Sequence, residues 1–309
     1  MVRNWVRLAL ANRPRKGKYS AMLDFRVSRT FLPHLCMFIG IFCIGFSAIF
    51  VRMASVPGVV SGFFRVFVAW CVLLPLWVIR GAEFPNKRTL VLSALSGVFF
   101  GLDLAFWNTS VLLTNAAVAT VLAYLAPVWV GLVAAILFKD RLKKYYWPGT
   151  ILALFGMLVI LGLKNIIGLR LGLGNILAII SSFFYAGYLL VTQVVRRRSG
   201  TLIFTTFSVF STMIILFLIC LIRGEKLTGF SYQTWAALLA LGLISHLIGW
   251  YSINYALGHI NASVASVTLL GQPVVTALAS LVILSEPLNA SQLFGGLLIL
   301  PGIYLVNRS

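Results

Sequence analysis

Apolar residues run through this chain in long blocks and do not alternate with polar ones. Ten blocks, 33–54, 58–79, 89–110, 114–137, 145–163, 172–194, 202–222, 232–254, 262–284 and 290–307, are each almost free of charge. A helix of about 20 apolar residues crosses about 30 Å of hydrocarbon, so the pattern predicts an all-α membrane protein with ten transmembrane helices. The polar connections are short. Those around 111–113 and 257–261 leave room only for antiparallel hairpins, and no linker is long enough to hold a soluble domain.

Composition agrees with lipid as the solvent. The chain is 61% hydrophobic and 10% charged, where soluble domains run at about 45–50% and about 25%. A formal net charge of +19 raises the question of nucleic acid. The bases lie between the apolar blocks, however, and form no basic face. Residues 1–32 carry Arg3, Arg7, Arg13, Arg15, Lys16, Lys18, Arg26 and Arg29 among Trp5, Tyr19 and Phe25. They read as a basic cytoplasmic tail facing anionic lipid, with no nucleic-acid role. The block that follows is too long for the apolar core of a cleaved signal peptide, about 7–15 residues. Cys36, Cys43, Cys71 and Cys220 all lie in apolar blocks and form no CxxC or Cys/His cluster, so neither a metal nor a cofactor is expected.

Alternate connections should carry the bases on the cytoplasmic side. With the N-terminus inside, the inner segments hold the tail, Arg80, Lys87, Arg88, Lys139, Arg141, Lys143, Lys144, Arg196, Arg197, Arg198 and Arg308. The outer ones hold only Arg52, Lys164, Arg170, Arg223 and Lys226. Both termini are therefore expected in the cytoplasm, with the chain in the inner membrane of a bacterium.

The sequence also repeats itself. In the register that aligns Pro127 with Pro273, Asn108 meets Asn254, Asn115 meets Asn261, Gly149 meets Gly295 and Gly156 meets Gly302, without a gap. Asn, Pro and Gly pairs are informative because apolar helices match at Leu by chance. Spans 3–5 thus recur as spans 8–10, which divides the chain into repeats at 33–163 and 172–307. Five spans is an odd number, so the second copy enters the membrane from the opposite side. Two inverted five-helix repeats are an architecture for alternating access around a central site.

The residues that carry this pattern resemble the drug/metabolite transporter superfamily, and within it the ten-span EamA-like proteins. They are Gly45 to Phe50, Arg65 after Pro57-Gly58, the run from Asn115 to Pro127, its copy from Asn261 to Pro273, and Glu286 with Gln292, Gly295, Gly296 and Gly302. The resemblance covers about 33–307. It implies a secondary transporter or exchanger of small metabolites, such as amino acids or nucleotide-like compounds, with helices of both repeats around a central cavity. One departure is that the first copy has Lys139-Asp140-Arg141 where the second has Ser285-Glu286-Pro287.

An ionisable side chain at membrane depth is costly, about 2.5–3.5 kcal/mol on insertion scales. Arg65 and Asp103 both lie roughly 10 Å below the outer surface by helical rise, on consecutive antiparallel spans. An ion pair between them is expected, either as a structural pair or with Arg65 holding a substrate carboxylate or phosphate while Asp103 exchanges partners or takes a proton. His246, whose repeat mate is Phe100, suits a proton-coupled step or a packing role. Asn108 and Asn254 are symmetry mates suited to line a cavity, and Asn115 and Asn261 suit N-caps. Trp107, Tyr185, Tyr188 and Trp250 can wall a substrate pocket or pack at the lipid interface. Pro127 and Pro273 remove a backbone hydrogen bond mid-span and are candidate hinges. The expected partners are a small-molecule substrate, lipid, and a proton or counter-substrate. A polytopic membrane enzyme is the rival reading, as is an assembly partner without transport. No nucleotide-binding loop, nucleophile elbow or paired acids speak for an enzyme.

Overall fold

The computed structural model describes residues 31–114, 116–136, 142, 144–162, 172–283 and 288–308. The basic tail up to residue 30, Asn115, Lys139 to Arg141, Lys143, Lys164, Arg170 and Ser285 to Pro287 with Glu286 lie outside the described residues. Among the described residues there is no strand. The helices are α1 (Phe31–Gly45 and Ser47–Ala54), α2 (Gly58–Ile79), α3 (Lys87–Leu113), α4 (Ala116–Ala123 and Ala126–Ile136) and α5 (Tyr146–Leu161). They continue as α6 (Leu173–Arg196), α7 (Thr201–Ile222), α8 (Tyr232–Leu257), α9 (Ala262–Ile283) and α10 (Ala290–Arg308).

Nine of these are long and apolar enough to cross a membrane among the described residues. The exception is α5, described over 16 residues. At 1.5 Å per residue it reaches about 24 Å, short of the hydrocarbon thickness. Expected spans and observed helices otherwise agree to within a few residues.

Local chemistry sets several ends. The Asn86 side chain accepts a hydrogen bond from the Thr89 amide at 2.9 Å and starts α3, and Ser231 does the same for α8 through Thr234. The C-termini of α2 and α7 both turn through a glycine with positive φ, Gly81 at 56° and Gly224 at 63°. Behind each, the next amide reaches back over the turn, from Ala82 to the Trp77 carbonyl and from Glu225 to the Cys220 carbonyl. Glycine enters this left-handed conformation without steric cost.

Two prolines and one further turn break the regular helices. Pro127 and Pro273 each stand second in the later segment of a broken helix, after the turn at Tyr124 and Leu125 in α4 and after the 3₁₀ turn Leu269–Gly271 in α9. The discontinuity therefore falls about one turn before each proline, where the missing donor and the ring disturb the preceding carbonyls. The third break is at Phe46 in α1. Last-turn carbonyls of a helix segment lack internal partners, and here other helices supply them. Cys43 O accepts from Ser245 at 3.1 Å, Ile44 O from Gln272 at 3.3 Å and Gly45 O from Thr276 at 2.8 Å.

Helix pairing follows a simple scheme. α5 packs along α10, α3 along α6, and α7 against both α2 and α3, while α1 packs on α8 and α9 and α2 on α8. Replacing each helix by the one five places along turns α3–α6 into α8–α1, α3–α7 into α8–α2 and α4–α6 into α9–α1, and all are contacts of this fold. The α5–α10 contact maps to itself. An added Cβ on Gly156 would lie 2.6 Å from the Gly295 carbonyl oxygen, and one on Gly149 2.6 Å from that of Gly302. The crossed pairing shows that these two helices run antiparallel, with backbones touching where side chains are absent.

Candidate functional site

The centre of the protein is organised by an antiparallel zipper between α3 and α6. Ser96 hydrogen-bonds Thr192 at 2.9 Å, the Phe100 ring lies 4.6 Å from that of Tyr188, and Ser181 donates to the Asp103 carboxylate at 2.6 Å. On α6, Ser181, Tyr185, Tyr188 and Thr192 recur at helical spacing and so share a face. This register places Asp103 at the deep end of a polar stripe.

α8 brings the second part of the site. Its segment Leu241–Trp250 forms the wider π turns, a rare geometry often found at functional sites. His246 and Trp250 are buried, and Phe100 packs against both as well as Tyr188, with ring centroids 6.0 Å from His246 and 4.8 Å from Trp250. Tyr188 and Tyr185 lie 5.4 and 6.1 Å from Trp250. Phe100 and His246, mates in the repeat register, thus meet each other.

Arg65 on α2 faces this cluster and lies in electrostatic range of Tyr188, Tyr185, Asp103 and His246. The expected ion pair with Asp103 is not formed. Asp103 takes the Ser181 hydroxyl, and Arg65 Nε is buried without a hydrogen-bond partner. The reason lies in the packing: α2 and α3 are consecutive but not close neighbours along their length, because α7 stands between them. Thr212 of α7 donates to the Gly97 carbonyl of α3 at 2.8 Å, while Leu216 faces Gly62 of α2. Two further nitrogens at the site, His246 Nδ1 and Trp250 Nε1, are also buried without a partner.

Arg65, Tyr124 and Tyr185 are enclosed by the helical body, yet each keeps part of its surface accessible. An enclosed but accessible side chain lines an internal opening. Tyr124 stands at the break in α4 and donates to Gln272 at the break in α9, at 3.0 Å. The two discontinuities are therefore joined to each other beside the opening. Sequence reading missed Tyr124, Ser181 and Gln272. The polar stripe on α6 and the polar residues next to Pro127 and Pro273 were the available signals.

The remaining candidates divide. Asn254 is buried with its side chain engaged, accepting from Tyr188 at 2.8 Å and reaching Thr205 at 3.5 Å. It holds Tyr188 in place and does not present a free amide to the opening. Asn108 is half-buried and lies against Gly58 at the start of α2, where an added Cβ would come within 2.5 Å of its Oδ1. Trp107 is half-buried and makes no ring contact among the described residues. Asn261 occupies the N-cap position of α9 without a capping hydrogen bond. Its Oδ1 accepts from Arg197 at 2.6 Å, and the Ala262 amide goes to Gln193 Oε1 at 2.6 Å. Among the described residues no group of three His, Cys, Asp or Glu side chains can hold a metal ion.

A polytopic helical body with charged and aromatic side chains around an enclosed opening is an architecture that membrane transport proteins share. The chain matches the EamA-like transporter family over residues 31–162 and again over 172–308, and it is a member of that family, within the drug/metabolite transporter superfamily. It is 30% identical over 206 residues to an uncharacterized transporter of Archaeoglobus fulgidus, covering 66% of this chain and 72% of the relative. It is 22% identical over 246 residues to the uncharacterized transporter YdfC of Bacillus subtilis, covering 78% of each. A solved structure titled "Crystal structure of protein" superposes with a TM-score of 0.78 at 21% identity, covering 91% of this chain and 98% of that one. That likeness shows a shared fold.

Proposed function

We propose that this protein is a secondary transporter or exchanger that moves a small organic metabolite, such as an amino acid or nucleotide-like compound, by alternating access. The observation that carries the reading is the enclosed opening. Arg65, Tyr124 and Tyr185 are kept partly accessible in the interior of a lipid-embedded body, where a charge without a task is expensive.

In this reading α1–α5 and α6–α10 are inverted halves of a ten-helix transporter. The helix pairing that survives exchange of the halves and the crossed Gly149–Gly302 and Gly156–Gly295 contacts support it. Arg65 grips an anionic group of the substrate, Asp103 exchanges Ser181 for substrate or a proton, and Tyr185, Tyr188, Trp250 and His246 form the wall. Asn254 supports that wall, while Trp107 and Asn108 serve nearer the outer end. The breaks at Pro127 and Pro273 are the hinges, linked by Tyr124 and Gln272. The chain sits in the cytoplasmic membrane of a bacterium with both termini inside.

The test is an unbiased uptake and efflux screen of metabolites in proteoliposomes, with and without an imposed proton gradient. Transport of one class of solute, lost in Arg65→Ala, supports the reading. Absence of flux for every solute in both directions and under both gradients, from folded protein, refutes it.

A further inference from the structure

The end of α6 holds a second buried arginine that the proposed site does not use. By sequence Arg196 is one of three neighbouring bases at the basic end, whose bland role is to set topology. Its surroundings differ from those of its neighbours. Arg197 and Arg198 are exposed, whereas Arg196 is 7% exposed.

No acid pairs with it among the described residues. Its Nε donates to the Asn254 carbonyl at 3.0 Å and its Nη1 to the Ser199 carbonyl. An added Cβ on Gly258 would lie 3.1 Å from Arg196 Nη2, so the absence of a side chain there makes room for the guanidinium. The Asn254 carbonyl belongs to the last turn of α8, the end at which a helix dipole favours a cation, while the Ser199 carbonyl is local to the end of α6. On the same turn of α6, Gln193 takes the first amide of α9 and Arg197 takes the Asn261 side chain. The end of α6 thus grips the α8–α9 connection at three points.

That grip is wired to the opening. Asn254 gives its backbone carbonyl to Arg196 and its side-chain oxygen to Tyr188, whose ring packs on Phe100 and Trp250. One residue therefore joins the aromatic wall to the clamp.

We propose that Arg196 is a positioning residue, the latch that closes the basic end of the pathway by holding α6 to α8. The proposal rests on the alternating-access reading. A backbone carbonyl suits a latch better than a carboxylate would, because the neutral Asn254 acceptor holds the guanidinium across the α6–α8 contact, with Ser199 orienting it from its own side, without the deep trap of a buried ion pair.

The test reads closure directly. Cys36, Cys43, Cys71 and Cys220 are replaced by alanine, and Ser263→Cys, at a buried position beside the clamp, is labelled with a membrane-impermeant thiol reagent in inside-out vesicles. Arg196→Gln is expected to raise the labelling rate about tenfold, Arg196→Lys to raise it less, and Arg198→Gln to leave it unchanged. Thr114→Cys, at the opposite end, should label as before from its own side. Unchanged Ser263→Cys labelling in Arg196→Gln overturns the latch and leaves a topogenic base. Increased labelling at both ends also overturns it, since that is general loosening. If Arg196→Gln does not accumulate, Arg196→Lys decides: labelling above the parent supports the latch and labelling equal to it overturns it. Flux is not read, so failure of the transport reading shows separately, as absence of solute movement in the parent.

Discussion

Two consecutive glycines on α10 make opposite demands, and this permits a stringent test of the α5–α10 contact. A methyl group on Gly295 would meet the Gly156 carbonyl oxygen, with Ile160 Cγ1 at 2.5 Å and the Ile160 amide nitrogen at 2.7 Å. Two of those three atoms are backbone and cannot rotate away. Gly295→Ala must therefore push the helices apart, and overpacking of this kind costs about 1–3 kcal/mol. A methyl group on Gly296 would meet only Val274, at 3.8 Å, an ordinary contact. Gly296→Ala should gain the helical preference of alanine, about 0.5–1 kcal/mol. With about 2–4 °C per kcal/mol for chains of this order of size, Gly295→Ala should melt several degrees below the parent and Gly296→Ala level with it or slightly above. The assay is thermal unfolding of the purified protein in detergent, followed by loss of the monodisperse peak after heating. Equal melting of the two variants would show that backbone contact does not govern this helix pair.

Other outcomes follow from the site and the topology. Arg65→Lys keeps the charge but loses the planar fork that grips a carboxylate or phosphate; it should fold and lose most flux, and normal flux would reduce Arg65 to a charge alone. Tyr188→Phe removes one interhelical hydrogen bond, for which about 0.6 kcal/mol is the typical loss in a membrane, so its melting temperature should fall by no more than about 2 °C; a larger fall would show that Asn254 depends on the hydroxyl. Gln272→Leu removes the link between the two breaks and should impair flux more than stability, as read by proteoliposome uptake beside melting. Cysteines placed at 164–171 should label from outside intact cells and those at 196–198 should not, and labelling of the second region would reject the assigned topology.

Much of the architecture was legible because lipid leaves few choices. A backbone without water must close its own hydrogen bonds, so the apolar blocks and their lengths led to the helices within a few residues. Adjacency was less legible. Arg65 and Asp103 share one electrostatic neighbourhood, but chain order alone suggests their direct pairing, and α7 occupies the space between α2 and α3. Spacing along one helix does not report which other helix it meets. The hydrogen bonds of Asn254 are illegible for a related reason: its partners, Tyr188, Thr205 and Arg196, come from α6 and α7 and are invisible until those helices are packed. Tyr124 and Gln272 could have been noticed as polar residues beside Pro127 and Pro273, since a proline break leaves backbone groups that need company.

The three carbonyls at the break in α1 impose an order on how the protein is made. Their donors, Ser245, Gln272 and Thr276, follow 202, 228 and 231 residues later in the chain. At a synthesis rate of about 5–20 residues per second, the ribosome needs roughly 10–45 s to produce them after α1. Over that interval α1 must lie in the bilayer as an unbroken helix or beside an insertion factor that shelters it. The break at Phe46 is therefore expected to form only when the second half arrives, and the first half released alone should keep an unbroken first helix.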